Sequence, residues 1–441
     1  MKVKVIGGGL AGSEAALQLA KKGIEVDLYE MRPKIQTGAH KTDKLAEFVC
    51  SNSLGSLDIT NASGLLKKEI QMLGGFLIEE AIKAKVPSGG ALGIDRVLFS
   101  NNVTKLIEQN PKINIIREEI KEIPTDCPVI IASGPLTSPA LAEQIKTLTG
   151  EEHLYFFDAI APIVEKDSIN FDKAFCQNRY NKGEACYINC PMNKEEYLNF
   201  YNILINAPKI ELKDFEKEDF KKAKFFESCL PIEVLASRGE DTLRFGPMKP
   251  IGLMDERTGE KPYAVVQLRQ DDSAATLYNL VGFQTNLKWG AQKELLQAIP
   301  GLENVNIVRY GVMHRNTFIN SPKLLNPTLH TRFRPDLFFA GQITGTEGYT
   351  ESIASGLLAG KNMARYLKNE PLLTLPKETV LGALMNYITD SEHKKFQPVN
   401  SNWGILAPME MDKKSRKDKK LKNELLAKRS VETLDSFLLL N

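Results

Sequence analysis

At 441 residues the chain exceeds the length at which one hydrophobic core usually stops growing, so two domains are expected. Its 42% apolar and 25% charged residues are ordinary for a globular protein, and no run of 18 or more apolar residues offers a membrane-spanning helix. The net charge of +2 excludes a chain basic throughout, though not a local basic patch, and with no cationic leader ahead of an apolar run the expected location is the cytoplasm.

Residues 2–6 (KVKVI) read as a short strand, Gly7-Gly8-Gly9-Leu10-Ala11-Gly12 as a tight turn, and residues 13–22 as an Ala- and Leu-rich helix ended by Gly23. Residues 24–29 form a second strand, completing a βαβ unit. Residues 113–117 and 129–132 read as strands, the latter running into Ser133-Gly134-Pro135. From about 158 to 330 the βαβ rhythm stops: aromatics, Lys and Glu increase and the strand-like pieces are short. Residues 337–340 then give a strand, Gly341 a turn, and residues 353–367 a helix with small residues on one face. The economical architecture is α/β, with a doubly wound, Rossmann-like domain built from both chain ends (1–157 and 331–441) and an α+β substrate and catalytic domain inserted at 158–330.

A G-x-G-x-x-G alone is weak, but here it follows a strand, opens a helix, and is followed by the acidic Glu30 at the end of the next strand. Gly7 makes the turn, Gly9 lets the backbone approach a pyrophosphate, and Gly12 lets helix and strand pack closely. Gly8, Leu10 and Ala11 complete a loop whose N–H groups face the phosphate at the helix N-terminus. Glu30, with Arg32 beside it, can accept from ribose hydroxyls and would repel a 2′-phosphate, which argues against NADP in this pocket. NAD and FAD share such a unit. The segment Phe338-Phe339-Ala340-Gly341-Gln342, followed by Gly345, Glu347, Gly348 and Tyr349, is similar to the C-terminal motif of FAD enzymes, and no second G-x-G-x-x-G is present. FAD is therefore the expected cofactor of this site.

Of the six cysteines, Cys186 and Cys190 form a C-x3-C without the spacing or His partners of a zinc site, so no metal is expected. Cys229 lies in FFESCLPIE with Arg238 and Arg244 downstream, and cationic neighbours favour the reactive thiolate. Cys50 lies among small polar residues (FVCSNS) in a loop, an odd place for a cysteine kept for packing. The plain alternative for any free cysteine is a small buried hydrophobe. Residues 412–430 carry nine Lys and Arg residues, including Lys413, Lys414, Arg416 and Arg429, as either a solvated face or an RNA contact.

The segments GGGLAGSEAA, CSNSLGS from Cys50, YINCPM, CLPIEVLASRGEDTLRFGPMKPIGL from Cys229, QLRQDD, GFQTNLKWGAQ, MHRNTFINSP, AGQITGTEGYTESIASG from Ala340 and FQPVNSNWG are spread along nearly the whole chain. The sequence resembles the TrmFO family of folate- and FAD-dependent tRNA (uracil-5-)methyltransferases, which are related to the GidA/MnmG flavoproteins. One departure is Ser228, where a Gly commonly precedes the cysteine. The resemblance implies that a one-carbon unit passes from 5,10-methylenetetrahydrofolate to C5 of a uracil through reduced FAD, that NAD(P)H reduces the flavin, and that the target is the T-loop uridine 54 of tRNA. It also implies that Cys229 is the nucleophile on uracil C6, because C5 is a poor nucleophile until a thiolate adds there. Cys50 is then the base for the C5 proton or a second thiol. A paralogue acting on rRNA would have the same chemistry. A small-molecule flavin oxidoreductase, or a flavoprotein that only binds RNA, would need neither cysteine nor folate.

Overall fold

The computed structural model describes residues 2–151, 153–181, 187–210, 230–255, 257–393, 396–412, 415 and 417–441. Five strands, β1 (Lys2–Ile6), β2 (Glu25–Tyr29), β3 (Ile113–Ile116), β4 (Val129–Ile131) and β5 (Leu337–Phe339), form an all-parallel sheet in the order 5-4-1-2-3. Parallel sheets are covered on both faces, so their strands read as continuous apolar runs. The VII of β4 and the LFF of β5 are buried throughout. Because β5 comes from the far end of the chain, both ends build one doubly wound sheet, as the sequence pattern predicts.

Helix α1 (Leu10–Lys21) begins three residues earlier than expected, because Gly9 is its N-cap and the second half of the glycine motif is already its first turn. Gly23 follows with φ +78°, the left-handed position that ends the helix. Helix α2 (Tyr349–Leu367) likewise starts early, directly after Gly348. The two helices pack against each other through small residues. A Cβ on Gly356 would lie 2.2 Å from the Ala11 carbonyl oxygen, and one on Gly360 2.8 Å from that of Ala15. These glycines allow the close approach that holds α1 in place beneath the loop before it.

The middle of the chain forms a second, antiparallel sheet of six strands. In order they are Phe175–Cys176, Tyr187–Met192, Ala264–Gln270, Leu277–Leu280, Ile163–Glu165 and Ile307–Arg309. It has its own hydrophobic core, where Ile188, Val266 and Leu280 meet Tyr197, Phe200 and Leu295 from the helices Lys194–Asn206 and Trp289–Gln297. A two-stranded ribbon, Leu154–Ala159 with Met313–Phe318, spans the passages into and out of this region. Phe318, Ile319, Leu324, Leu325 and Leu329 are buried in the core of the parallel sheet, ahead of residue 331.

Buried carboxylates tie the outer elements down. Glu69 accepts from the backbone N–H groups of Val380 and Leu381, at the start of the helix Val380–Thr389, and from the Ser430 hydroxyl of the C-terminal helix Lys419–Leu440. Burial pushes this carboxyl up to about 7. Among the described residues, no helix is long and apolar enough to cross a membrane.

Candidate functional site

The order of the parallel sheet reverses at β1, and open α/β sheets bind ligands outside the carboxyl ends of the strands at such a point. An open cleft lies there, lined by the loop after β1, by Glu30 to Arg32 after β2, by Ala132 to Ser138 after β4, and by Gly341 and Gln342 after β5. Tyr349, the first residue of α2, closes one side.

The glycines of the first loop meet different surroundings. A Cβ on Gly7, which has φ +105°, would sit 2.4 Å from the Ala132 carbonyl oxygen. One on Gly12 would sit 1.8 Å from the Gly7 carbonyl oxygen and 3.4 Å from the Ala132 Cβ, so this position joins helix to strand. A Cβ on Gly9 meets nothing within 4 Å, although Gly9 lines the cleft. That open backbone at a helix N-terminus is a cradle that a side chain would fill, and it fits a pyrophosphate. The residues present thus suit a dinucleotide such as FAD: Gly7, Gly9, Leu10 and Ala11 line its phosphate end, and Gly341, Gln342 and Tyr349 line the other wall. Gly8, Gly12 and Gly348 stand behind the lining. Gly348, with φ +115°, turns the chain into α2.

Glu30 is buried and its acceptor capacity is full. Its carboxylate receives the N–H of Gly8 at 3.1 Å, the backbone N–H of Arg32 at 3.0 Å, and the Arg32 guanidinium at 2.9 and 3.2 Å. Arg32 also donates to Glu47 at 2.9 Å and to the Thr42 carbonyl at 3.1 Å. Burial alone would raise the Glu30 carboxyl, but the Arg32 guanidinium outweighs it and holds the group below the usual carboxylate range. A ribose hydroxyl reaching Glu30 must therefore share an oxygen with Arg32.

Cys50 lies in a loop at the rim, next to Val49, which lines the cleft. Its N–H donates to the Tyr349 hydroxyl at 2.7 Å, and its thiol lies 3.6 Å from the Ala159 carbonyl oxygen. Cys229 falls outside the described residues, as do Cys186, Lys413, Lys414 and Arg416. Arg244, expected from its sequence position to favour a Cys229 thiolate, pairs with Asp241 at 2.5 Å and stacks 3.5 Å over the Tyr263 ring. Cys190 is fully buried, and burial drives its thiol far up, away from thiolate.

Sequence reasoning missed several cleft residues. Thr37, His40, Glu118 and Glu119 line it from segments without a motif. The stretch Ser133 to Ser138 had a readable signal, since Gly134 (φ +71°) follows a strand and Ser138 caps the helix Pro139–Thr149 with Pro at its first position.

The family model described as "Glucose inhibited division protein A" matches residues 2–371. A protein of Bacillus cytotoxicus named methylenetetrahydrofolate–tRNA-(uracil-5-)-methyltransferase TrmFO is 59% identical over 436 residues, spanning 99% of this chain and 98% of that protein. One of the same name from Anoxybacillus flavithermus is 58% identical over 438 residues, 99% of each. The solved structure of Aquifex aeolicus GidA superposes with a TM-score of 0.70 at 18% identity, covering 99% of this chain and 73% of that one, so the two share a fold. On a family model matched over most of its length and relatives alike from end to end, this chain belongs to the TrmFO family within the glucose inhibited division protein A group.

Proposed function

We propose that this chain is a methylenetetrahydrofolate- and FAD-dependent methyltransferase that forms 5-methyluridine in tRNA, with NAD(P)H as reductant. The observation that carries the reading is end-to-end similarity to proteins of that name, in a chain that sets a cysteine on the rim of a dinucleotide cleft. When bound, FAD supplies the redox chemistry that turns the transferred carbon into a methyl group. The chain's own residues do the rest. The backbone of Gly7 to Gly12 and the N-terminus of α1 hold the pyrophosphate, and Tyr349 bounds the opposite wall. Cys229 adds as thiolate to C6 of the uracil, which gives C5 the electron density to attack the one-carbon unit. Cys50 takes the C5 proton. The target base leaves its stack to reach the cleft. The target is the T-loop uridine 54, and the enzyme works in the cytoplasm, where tRNA is found.

Three measurements test this. With RNA, NADPH and each one-carbon donor labelled in turn, label should reach uridine from methylenetetrahydrofolate; label arriving only from S-adenosylmethionine would overturn the reading. With 5-fluorouracil at the target position, where no proton can leave C5, a covalent complex should accumulate and peptide mapping should find the RNA on Cys229. Cys229→Ala should keep flavin and RNA binding and form almost no 5-methyluridine. RNA attached to Cys50 would reverse the two roles, and methylation of rRNA but not tRNA would move the target.

A further inference from the structure

The loop that carries Cys50 is held station by station by side chains from distant parts of the chain. At Val49 the carbonyl accepts from Arg309 at 2.8 Å, and the same guanidinium nitrogen reaches the Ala39 carbonyl at 3.2 Å. At Cys50 the N–H donates to the Tyr349 hydroxyl at 2.7 Å. At Ser51 the hydroxyl accepts from Arg269 at 2.8 Å. Asn52 is fully buried and donates to the carbonyls of Ile94 and Gln270 at 3.0 and 2.9 Å. A loop with no regular structure of its own thus has a fixed path.

Among these anchors only Tyr349 also lines the dinucleotide cleft. Its ring stands edge-on to Phe48, with centroids 4.3 Å apart, and Phe48 packs in turn on Phe99 at 5.0 Å. The ring is therefore fixed by packing, and its hydroxyl oxygen is held where it accepts the backbone N–H of Cys50. We infer that Tyr349 is a positioning residue, whose hydroxyl sets the place of the Cys50 thiol relative to the cofactor cleft. The inference rests on the function proposed above for its kinetic consequence, but not for its structural one.

Tyr349→Phe tests it, because the ring and its packing on Phe48 remain while the acceptor is lost. Flavin content and the KM for RNA should stay within twofold of the parent. Turnover should fall about tenfold, the effect of one well-made hydrogen bond. Independently of RNA and folate, the rate at which iodoacetamide alkylates Cys50, followed by peptide mass, should change severalfold, while that of Cys127 does not. A residue that merely stiffened the fold would lower the melting temperature and leave the Cys50 rate alone. Unchanged turnover together with an unchanged Cys50 alkylation rate would overturn the inference. So would a loss of flavin that accounts for all the lost activity, since Tyr349 would then be a cofactor contact only. Should the parent enzyme methylate no RNA at all, the proposed function fails while the alkylation result still decides the role of Tyr349.

Discussion

Gly9 and Gly12 lie three residues apart and answer different demands. The space beside Gly9 is empty and opens on the cleft, whereas a Cβ at Gly12 would be 1.8 Å from the Gly7 carbonyl oxygen. Gly9→Val should consequently fold, with a melting temperature near that of the flavin-free parent, and lack the visible flavin spectrum. Gly12→Val should fail to fold, read by circular dichroism and soluble yield, because neither α1 nor β1 can retreat. A Gly9→Val protein with its full flavin absorbance would place the pyrophosphate elsewhere. Glu30 shows where motif reading stops. Its acidity and spacing are visible in the sequence, yet the four donors that fill its carboxylate come from Gly8 and Arg32, and only the folded turn brings them together.

Helices reveal their faces more readily than their neighbours. The C-terminal helix Lys419–Leu440 buries Leu426, Ala427, Ser430 and Leu434 against the core and leaves Lys419, Lys420, Lys422 and Lys428 exposed. Arg429, grouped by sequence with the basic run, instead donates to the carbonyls of Ala407 and Pro408 at 2.7 and 2.9 Å and fastens the helix down. The pairs Lys420–Glu424 and Lys428–Glu432 are 3.9 and 3.8 Å long and exposed. Such pairs contribute about 1 kcal/mol at most, so the lysines are available to a polyanion. Replacing Lys417, Lys419, Lys420 and Lys422 with Gln should weaken RNA binding at low salt and flatten its salt dependence by roughly 0.7–0.9 in log–log slope per phosphate contact removed. Flavin content should not change. A salt slope equal to the parent's would return the helix to a solvated surface.

Across the whole molecule, the parallel sheet and the six-stranded sheet keep separate cores and communicate through polar side chains. Arg96, from the helix Arg96–Glu108, pairs with Asp271, just past the strand Ala264–Gln270, at 2.9 Å; both side chains are largely buried. Asn279 donates to Asp271 and to Asn52, each at 3.0 Å, so the pair is continuous with the Cys50 loop. Removing one partner of a buried ion pair leaves an uncompensated charge, which costs about 3 kcal/mol or more. Asp271→Ala should lower the free energy of unfolding, read from denaturant titration, by that amount, and replacing Arg96 with Met in the same chain should recover much of it. A single variant as stable as the parent would show that water solvates Arg96. We propose that the inserted unit begins near residue 158 and ends ahead of Phe318, since Phe318 to Leu329 already pack with the parallel sheet.

The sequence by itself determined the βαβ opening, the return of the chain at β5 and the dinucleotide character of the loop between Gly7 and Gly12. These are local: glycine spacing, apolar runs and a helix start are each written within a few residues, and the demand for buried parallel strands makes them legible. Cys50 stood out as a cysteine in a polar loop for the same local reason. Its link to Tyr349, 299 residues further on, did not, because a hydrogen bond between a backbone N–H and a remote phenol leaves no periodicity in either segment. The tertiary structure alone decided that link, the closure of Glu30 by Arg32 and the commitment of Arg244 to Asp241 and Tyr263. The first depends on where separate elements come to rest, which core packing sets, whereas Glu30–Arg32 and Arg244–Asp241 lie two and three residues apart and depend on how the local turn folds.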